Sequence, residues 1–421
     1  MNIKRLKWLY PGMLVKRWIS LSIFGILMIS MGFVIAIFEQ KPENKAIAGL
    51  IIVLGIVCVI IAVKRILKSL MTVLLPEPAR AEDRLVDKIY ERRILEKGPK
   101  IVVIGGGTGL STLLTGLKQK TSNITAIVTV ADDGGSSGRL REEFGVLPPG
   151  DIRNCLVALA DSEDLLGALF QFRFKAGKGL EGHNFGNLFI TALSRITGDF
   201  AKAIRESSKV LAIRGRVFPA TLQKVKLVAR RKDGRETVGE SRIREEKGSP
   251  IDKLYLMSEH CKATRESVDA IREADAVILG PGSLYTSVMP NLLIEGIQKA
   301  IIKSRALKIY VCNVMTEAGE TDDYSVSDHV RAIIKHTHPE VVNYCIANIS
   351  RIPGPLYKKY KDEDKFPVKL EENDERWLTR ERIELVKAHI AGTKEFVRHD
   401  SFKLSNSIMN ILAEKKKVKN P

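Results

Sequence analysis

Two apolar segments near the N-terminus constrain this chain more than any other feature of its sequence. Residues 19–38 carry no charged side chain, and a second apolar stretch covers residues 46–63. About twenty apolar residues are enough for a helix to cross the hydrocarbon core of a bilayer. Because only the charged and polar residues 39–45 separate them, the two stretches predict a transmembrane hairpin with a short turn, within a membrane anchor of residues 1–75.

Basic residues flank both outer ends of this hairpin, with Lys16 and Arg17 before it and Lys64 and Arg65 after it. The positive-inside rule then predicts a multi-pass cell-membrane protein with two spans, whose termini and main domain are cytoplasmic. A cleaved signal peptide is the alternative interpretation. The second span, the length of the first and the lack of a small-residue cleavage site favour the anchor.

The charge balance is strongly basic, since 67 Lys and Arg against 49 Asp and Glu give a formal net charge of +18. Nucleic acid, anionic lipid and anionic metabolites are all compatible with that charge, as is a solvated basic surface. The basic runs at Lys4, Arg5 and Lys7 and at residues 415–419 favour a membrane surface. No basic stripe is interleaved with aromatic residues, so we expect no nucleic acid partner.

The five cysteines are scattered without a close pair, which favours reduced thiols over disulfides. We accordingly expect no zinc, iron–sulfur or haem site. Residues 76–98 are rich in charges, with apolar Leu85 and Ile89 on one side of a helical pattern, and predict an amphipathic linker helix.

From residue 99 to residue 421 the chain alternates short apolar, β-branched runs with helical segments. Continuous apolar strands are buried on both faces, so they predict a mostly parallel, Rossmann-like α/β sheet flanked by helices. Asp233 and Gly234, between residues 224–230 and 236–242, predict a β-hairpin excursion from that sheet. A last helix is expected over residues 401–415. The predicted strands cover residues 101–104, 124–130, 276–279, 309–312 and 341–346.

The first predicted strand runs into a glycine-rich turn that precedes a helix. Backbone N–H groups in such a turn can approach a phosphate at the positive helix end. The Rossmann fingerprint is imperfect, because Leu110 occupies the position of its third glycine, and no Lys completes a Walker loop. A tight structural turn remains the alternative to phosphate binding. The candidate residues are Gly106, Gly107, Thr108 and Gly109.

The second predicted strand ends in two carboxylates, Asp132 and Asp133, in a loop of small residues. At this position a dinucleotide fold would hold a ribose, and the same carboxylates could hold Mg²⁺ against phosphates. They could instead cap the turn. An acid–base role has no partner that can be identified from the sequence. The other candidates in this loop are Gly134, Ser136 and Arg139.

Two further loops add polar side chains at helix starts. Asp151 is expected to be the N-cap of the next helix, where Asn154, beside Arg153, could bond an anion or a base. His183 could be an acid or base, although a single histidine is more often structural. Its neighbours Asn184 and Asn187 share the first turn of another predicted helix.

A second glycine turn follows the strand at residues 276–279 and repeats the strand, turn and helix order of the first. It supplies Gly280, Gly282 and Ser283, and Asn313 follows the next strand in the same way. Because the carboxyl ends of parallel strands meet at one sheet edge, these loops together predict a site for a nucleotide-type, phosphate-bearing ligand.

Several long motifs resemble the YvcK/CofD-like family, and they are closest to its YvcK branch, the gluconeogenesis factors. The similarity covers roughly residues 100–413, including Val397-Arg398-His399-Asp400. The two spans before it depart from the short cytoplasmic members. The motifs are VVIGGGTGLS from Val102, TVADDGGSSGRLR from Thr129, PPGDIRN from Pro148, ITGDF from Ile196, GPGSLYTSV from Gly280 and CNVMTEAGETDDYS from Cys312.

The resemblance to the YvcK branch implies binding of UDP-sugars such as UDP-N-acetylglucosamine and regulatory roles in gluconeogenic growth, peptidoglycan synthesis and cell shape. The resemblance is compatible with two kinds of protein partner, cell-wall synthesis proteins and a second copy of this chain. The CofD branch instead implies an Mg²⁺-dependent transferase that moves a phospholactyl group from a nucleotide diphosphate donor, so the sequence does not decide whether the chain is an enzyme. A dinucleotide-dependent oxidoreductase is a weaker alternative. The matched motifs carry over Gly106, Gly107, Thr108, Asp132, Asp133, Asn154, Gly282 and Ser283 as ligand-binding positions.

Overall fold

The computed structural model describes residues 15–38, 41–74, 93–161, 164–258, 261–393 and 395–419. The chain divides into two compact units, Met1–Glu91 and Arg92–Pro421. The predicted linker helix falls mostly on residues that lie outside the described part, and of its length only residues 93–96 are seen as helical. The basic residues Lys4, Arg5 and Lys7 also lie outside it.

The N-terminal unit is a pair of helices, α1 (Val15–Phe38) and α2 (Pro42–Leu74). Helix α2 begins earlier than predicted, because Pro42 at its start suits the first turn of a helix, and the expected turn is correspondingly shorter. The segments Arg17–Phe38 and Pro42–Ser69 have mean hydropathies of 2.5 and 3.2 and the length needed to cross a membrane. Length and composition alone support that statement, and buried core helices or signal sequences would meet the same criterion.

Small residues line the contact between α1 and α2. Gly25 of α1 meets Gly55 of α2, and Gly32 meets Ala48, at a spacing of seven residues along each helix; Ala62, also buried, continues that spacing in α2. A Cβ added at Gly25 would lie 2.7 Å from the carbonyl oxygen of Gly55, and one added at Gly55 would lie 2.7 Å from that of Gly25. The two backbones therefore touch directly, as small residues allow in membrane helix pairs.

The second unit, here called the body, contains strands and helices in alternation. Its strands are β1 (Ile101–Gly105), β2 (Ile124–Val128), β3 (Arg216–Pro219), β4 (Lys226–Arg231), β5 (Glu236–Val238), β6 (Ile251–Met257), β7 (Ala276–Leu279), β8 (Leu307–Val311), β9 (Tyr344–Asn348), β10 (Glu384–Ala388), β11 (Ala391–Gly392) and β12 (Arg398–His399). Seven of them form one parallel sheet in the order β10-β9-β8-β7-β1-β2-β3, which confirms the predicted fold class.

Helices flank this sheet. They are α3 (Gly107–Leu117), α4 (Gly135–Phe144), α5 (Gly150–Leu159), α6 (Asp164–Gln171), α7 (Phe185–Thr197), α8 (Phe200–Val210), α9 (Glu240–Glu245), α10 (Arg265–Glu273), α11 (Met289–Leu292), α12 (Ile297–Lys303), α13 (Val326–His336), α14 (Gly354–Lys361), α15 (Glu372–Arg380) and α16 (Ser401–Lys419). A π-helical turn, Leu284–Val288, precedes α11, and a 3₁₀ turn, Pro339–Val341, precedes β9. The 3₁₀ turn explains why β9 starts later than the predicted strand at residue 341.

The strand order has a switch point between β1 and β7. From β1 the chain builds outward through β2 and β3 on one side, and later through β7 to β10 on the other. Ile101 pairs with Ile124 of β2 and with Ala276 of β7. In open parallel sheets, ligands bind outside the carboxyl ends of the strands at such a point.

The predicted hairpin around Gly234 is present, but its second arm was predicted too long. Strand β5 ends at Val238, and Gly239, with a φ of +103°, leads into α9 instead of continuing the strand to residue 242. Strand β6, which was not predicted, pairs with β4 and completes a three-stranded antiparallel sheet.

Candidate functional site

A cavity of about 460 Å³ lies at the carboxyl ends of β1, β2, β7 and β8. Its volume is within the range of small-molecule sites in proteins. Loops after all four strands contribute to its walls, as the sequence predicted. The predicted residues that line it are Gly106, Gly107, Thr108, Gly109, Asp132, Asp151, Gly282, Ser283 and Asn313.

The two glycine turns meet in the middle of this cavity. A Cβ added to Gly109 in α3 would lie 2.6 Å from the carbonyl oxygen of Pro281 and 3.0 Å from the Cα of Gly282. Gly107, the first residue of α3, has a φ of +66°, in the left-handed region that favours glycine. The backbone N–H groups at the start of α3 therefore stand beside a second backbone loop, an arrangement suited to a phosphate.

The adjacent carboxylates Asp132 and Asp133 have different environments. Asp132 lines the cavity, and its Oδ1 accepts the backbone N–H of Gly134 at 2.9 Å. Asp133 instead accepts the backbone N–H groups of Glu240 at 3.1 Å and Ser241 at 2.9 Å, at the N-terminus of α9. Asp133 therefore caps a helix that is distant in sequence. Asp132 makes the turn-capping contact to Gly134 and also faces the cavity.

Asp151 lines the cavity, but the expectation that it is an N-cap is wrong. Helix α5 has Pro149 as its N-cap, and Asp151 lies inside the first turn. A Cβ added to Gly106 would lie 2.5 Å from Asp151 Oδ2, so this carboxylate packs on the first glycine turn. Burial, and then the nearby charge of Asp132, raise the pKa of Asp151 to about 6, against the backbone hydrogen bond donated by Gly107.

Helix α9 brings a further carboxylate and an arginine to the cavity. Glu240 is 4% exposed and forms an ion pair with Arg244 at 2.8 Å, while its Oε2 has no hydrogen-bond partner. Arg244 Nε also donates to Thr286 Oγ1 at 3.1 Å, and that hydroxyl donates to Glu320 at 2.9 Å. Burial raises the pKa of Glu240 well above its usual value and that of Glu320 to about 7.

The other end of the cavity is formed by segments far along the chain. Lys365 and Arg398 bring positive charge there, and Lys365 lies near Glu317. Tyr360 also lines this end, and its Oη accepts the backbone N–H of Val397 at 3.1 Å. The cavity thus has a carboxylate-rich end over β2 and a more cationic end over β8.

His399 closes the wall at the cationic end. Its Nε2 lies 3.1 Å from the carbonyl oxygen of Cys312, an acceptor that places the ring proton on Nε2. Burial lowers the pKa of His399 to about 4. The imidazole is therefore neutral at physiological pH and adds no charge to the cavity.

Several predicted residues form a separate polar cluster outside the cavity lining. Ser136 Oγ lies 3.3 Å from His183 Nδ1 and accepts the backbone N–H of Asn184 at 3.2 Å. Asn187 Nδ2 donates to the same hydroxyl at 3.1 Å, and its Oδ1 accepts from Arg153 at 3.0 Å. These contacts join the first turn of α4 to the start of α7, where Asn184 is the N-cap. The cluster supports a structural role for His183.

The remaining predicted residues also lie outside the cavity lining. Arg139 donates to the carbonyl oxygen of Glu181 at 2.9 Å, and Asn154 accepts from Arg153 at 2.6 Å. Gly134 donates its N–H to Asp132, and Gly280 donates its N–H to the carbonyl oxygen of Ile104 at 2.8 Å. They shape the loops that carry the cavity residues.

Sequence reasoning missed the residues that reach the cavity from outside the strand-end loops. Glu240 was placed in a predicted strand and Arg244 was given no element, although their i, i+4 spacing after Gly239 is a helical signal. Arg398 and His399 were quoted within a family motif but given no role. The cavity residues that were not predicted as a site are Thr112, Glu240, Arg244, Pro281, Ser287, Val314, Met315, Glu317, Tyr360, Lys365, Val397, Arg398 and His399.

The predicted Mg²⁺ ligands can be compared with the carboxylates present. Among the described residues no group of three or more His, Cys, Asp or Glu side chains has metal-binding geometry. Both oxygens of Asp133 are occupied by N–H donors. Asp132 and Asp151 both line the cavity, and they are the pair that would hold the ion together with ligand phosphates.

Comparison with known proteins places this fold and cavity in a defined family. The family model 2-phospho-L-lactate transferase CofD matches residues 101–391. A Bacillus subtilis protein named "Gluconeogenesis factor" is 47% identical over 317 residues, which are 75% of this chain and 99% of that protein. A Clostridium acetobutylicum protein named "Putative gluconeogenesis factor" is 46% identical over 424 residues, 98% of this chain and 93% of that one.

A solved structure gives the same result for the body. A crystal structure of a UPF0052 family protein from Bacillus halodurans is 46% identical, with a TM-score of 0.71, and the match covers 74% of this chain and 99% of that one. The family model matches most of the chain, and the two relatives are 46% and 47% identical to it. The chain therefore belongs to the YvcK/CofD-like family, among the gluconeogenesis factors.

Proposed function

We propose that the body binds a nucleotide sugar such as UDP-N-acetylglucosamine, and that the chain is a regulatory protein of carbon metabolism and cell-wall synthesis. One observation carries this proposal. The two glycine turns form a floor of backbone groups at the β1/β7 switch point, between a carboxylate-rich end and a cationic end of one cavity. A nucleotide sugar has a central diphosphate with hydroxyl-rich groups on both sides.

The chemistry of each part of the cavity fits one part of such a ligand. The start of α3 and the second glycine turn suit the diphosphate, with Lys365 and Arg398 as nearby positive charges. Carboxylates accept hydrogen bonds from sugar hydroxyls, and Asp132 and Glu240 stand at the end where such hydroxyls would lie. The unpartnered Glu240 Oε2 is one acceptor that a ligand hydroxyl would satisfy.

The helical hairpin supports a location at the cytoplasmic membrane. We propose that α1 and α2 span the bilayer and that the body faces the cytoplasm, where nucleotide sugars for peptidoglycan are used. The two apolar helices and the basic residues at their outer ends are the support for this placement.

Calorimetric titration of the full chain in detergent micelles tests the ligand. UDP-N-acetylglucosamine, UDP-glucose, UDP, GDP and NAD would be titrated in turn, each with and without Mg²⁺. Saturable binding of UDP-sugars over GDP and NAD is the expected result. Binding of none of the UDP-sugars would overturn the proposal.

A transferase of the CofD type is the second candidate. The family model and the pair Asp132 and Asp151, which both face the cavity, favour it. Mg²⁺ bound there would neutralise phosphate charge during group transfer. Incubation with Mg²⁺, candidate nucleotide diphosphate donors and acceptors, followed by mass spectrometry, separates the two functions. A new covalent product supports the transferase, whereas recovery of unaltered nucleotide supports the regulator.

A further inference from the structure

An exposed apolar and basic surface lies on the body outside the ligand cavity. Leu165 and Leu169 on α6, Phe172 just after it and Leu180 in the next loop are 78%, 41%, 50% and 43% exposed. We call residues 165–180 the α6 surface. Large apolar side chains grouped along one short segment are unusual on a soluble surface and mark contact sites.

The loop that carries part of this surface is held in a defined shape. The backbone N–H of Phe174 donates to the carbonyl oxygen of His183 at 2.9 Å, and that of Gly182 donates back to Phe174 at 2.9 Å. The rings of Phe172 and Phe174 pack edge to face, with their centroids 5.1 Å apart. The exposed Phe172 ring is thus presented by an ordered loop that its own backbone bonds fix.

The charged residues within residues 165–180 are all basic, and acidic residues stand at both ends of the segment. Arg173, Lys175 and Lys178 are exposed, whereas Asp164 directly precedes the segment and Glu181 directly follows it. Arg173 keeps a hydrogen bond to the carbonyl oxygen of Gly182 at 2.7 Å. Exposed Phe and Leu side chains next to Lys and Arg are the pattern of protein segments that insert shallowly into an anionic lipid interface.

We infer that the α6 surface docks the body onto the anionic leaflet of the membrane. The apolar side chains enter the headgroup region, and the three cations contact lipid phosphates. This goes beyond ligand binding and does not depend on it. If α1 and α2 span the bilayer as proposed above, the chain that joins them to the body raises its effective concentration at that leaflet, so weak docking suffices.

Hydrogen–deuterium exchange of the full chain tests this inference. The chain would be mixed with nanodiscs of phosphatidylcholine alone or with added phosphatidylglycerol, and the amides of residues 172–180 followed by mass spectrometry. We expect exchange about tenfold slower with the anionic discs. Equal exchange in both lipids would overturn the inference.

Two double variants separate the apolar and ionic parts of the surface. Leu169→Ser with Phe172→Ser, and Lys175→Glu with Lys178→Glu, should each remove the protection by anionic lipid. Phe402→Ser is a matched control, because Phe402 is 60% exposed but lies on α16. Protection that persists in both double variants, or that rises with protein concentration in the absence of lipid, would show instead that this surface contacts other protein.

Discussion

Gly109 of α3 lies against the backbone of Pro281, and a Cβ on Gly109 would be 2.6 Å from the Pro281 carbonyl oxygen. Gly109 lies in the first turn of α3, which follows β1, and Pro281 lies in the turn after β7. Strands β1 and β7 are neighbours in the sheet, but the two residues are far apart along the chain. Their contact defines the floor of the cavity. Space for a side chain is therefore absent where the ligand's phosphates are expected.

Gly109→Ala should separate the two glycine turns. Overpacking of this kind costs about 1–3 kcal/mol of stability. We also expect weaker nucleotide-sugar binding, because the two displaced turns can no longer contact the same ligand together. Calorimetric unfolding and titration measure both effects. Gly354→Ala is the control, since an added Cβ there meets no atom within 4 Å. Wild-type affinity in Gly109→Ala would contradict the assigned floor.

Substitutions of the adjacent residues Asp132 and Asp133 should have different effects, one on ligand binding and the other on stability. Asp132→Ala is expected to abolish ligand binding with little effect on folding, because Asp132 faces the cavity. Asp133→Ala should lower the free energy of unfolding by about 0.5–2 kcal/mol, the usual cost of losing a helix cap. Titration and chemical denaturation of both variants make the comparison. The reverse pattern would show that the two residues are wrongly assigned.

Stability should fall as pH rises from about 4.5 to about 7. Burial raises the pKa of Glu320 from 4.5 to about 7, with Arg244 opposing the shift. A carboxyl with a raised folded pKa binds more protons in the native state, so the free energy of unfolding decreases from about pH 4.5 to about pH 7, by roughly 3 kcal/mol.

Glu320→Gln isolates this contribution, because the amide cannot ionise but can still accept from Thr286. Unfolding midpoints measured across that pH window should fall less steeply in the variant than in the parent. Asp151, whose pKa is raised by burial and by Asp132 and not by Glu320, titrates in both proteins and cancels in the difference. Identical slopes would show that Glu320 does not carry the effect.

The proposed topology predicts which positions are accessible from outside the cell. In intact cells a membrane-impermeant maleimide should label Lys41→Cys, in the turn before α2, but not Lys97→Cys in the body. Both should react after permeabilisation, since both side chains are exposed. Labelling of Lys97→Cys in intact cells would exclude a cytoplasmic body.

Removal of residues 1–75 should leave a soluble, folded body that binds the same ligand. The Bacillus halodurans structure supports this expectation, because that chain matches 74% of this one and has its own complete fold. Circular dichroism and titration of the fragment are the measurements. An aggregated fragment, or one without ligand affinity, would mean that the hairpin is needed for the body's structure.

The strands that the sequence predicted are the ones buried on both faces. Residues of β1 and β7 are apolar without interruption and almost completely buried, so a simple hydrophobic run identified them. Strands β3 and β10 form the two edges of the sheet, and each begins with an exposed charged residue, Arg216 or Glu384. An edge strand is only partly covered, so its sequence lacks that continuous run.

The site was predictable where it depends on local chain order. A glycine turn between a buried strand and a helix can be recognised without knowledge of the fold, and both such turns are in the cavity. Glu240, Tyr360 and Arg398 reach the same cavity through packing of distant segments. No local sequence pattern indicates that these residues line the cavity. They come together only when the folded chain packs these segments against the central sheet.

The order in which the chain supplies the cavity walls has a consequence for synthesis. The first glycine turn begins at residue 106, but Arg398 and His399 belong to β12, near the C-terminus. Ribosomes deliver the chain from its N-terminus, so α1 and α2 can enter a bilayer long before that last wall exists. If α1 and α2 anchor the chain as proposed, a nascent chain would be anchored first, and its ligand cavity would be complete only when translation is nearly finished.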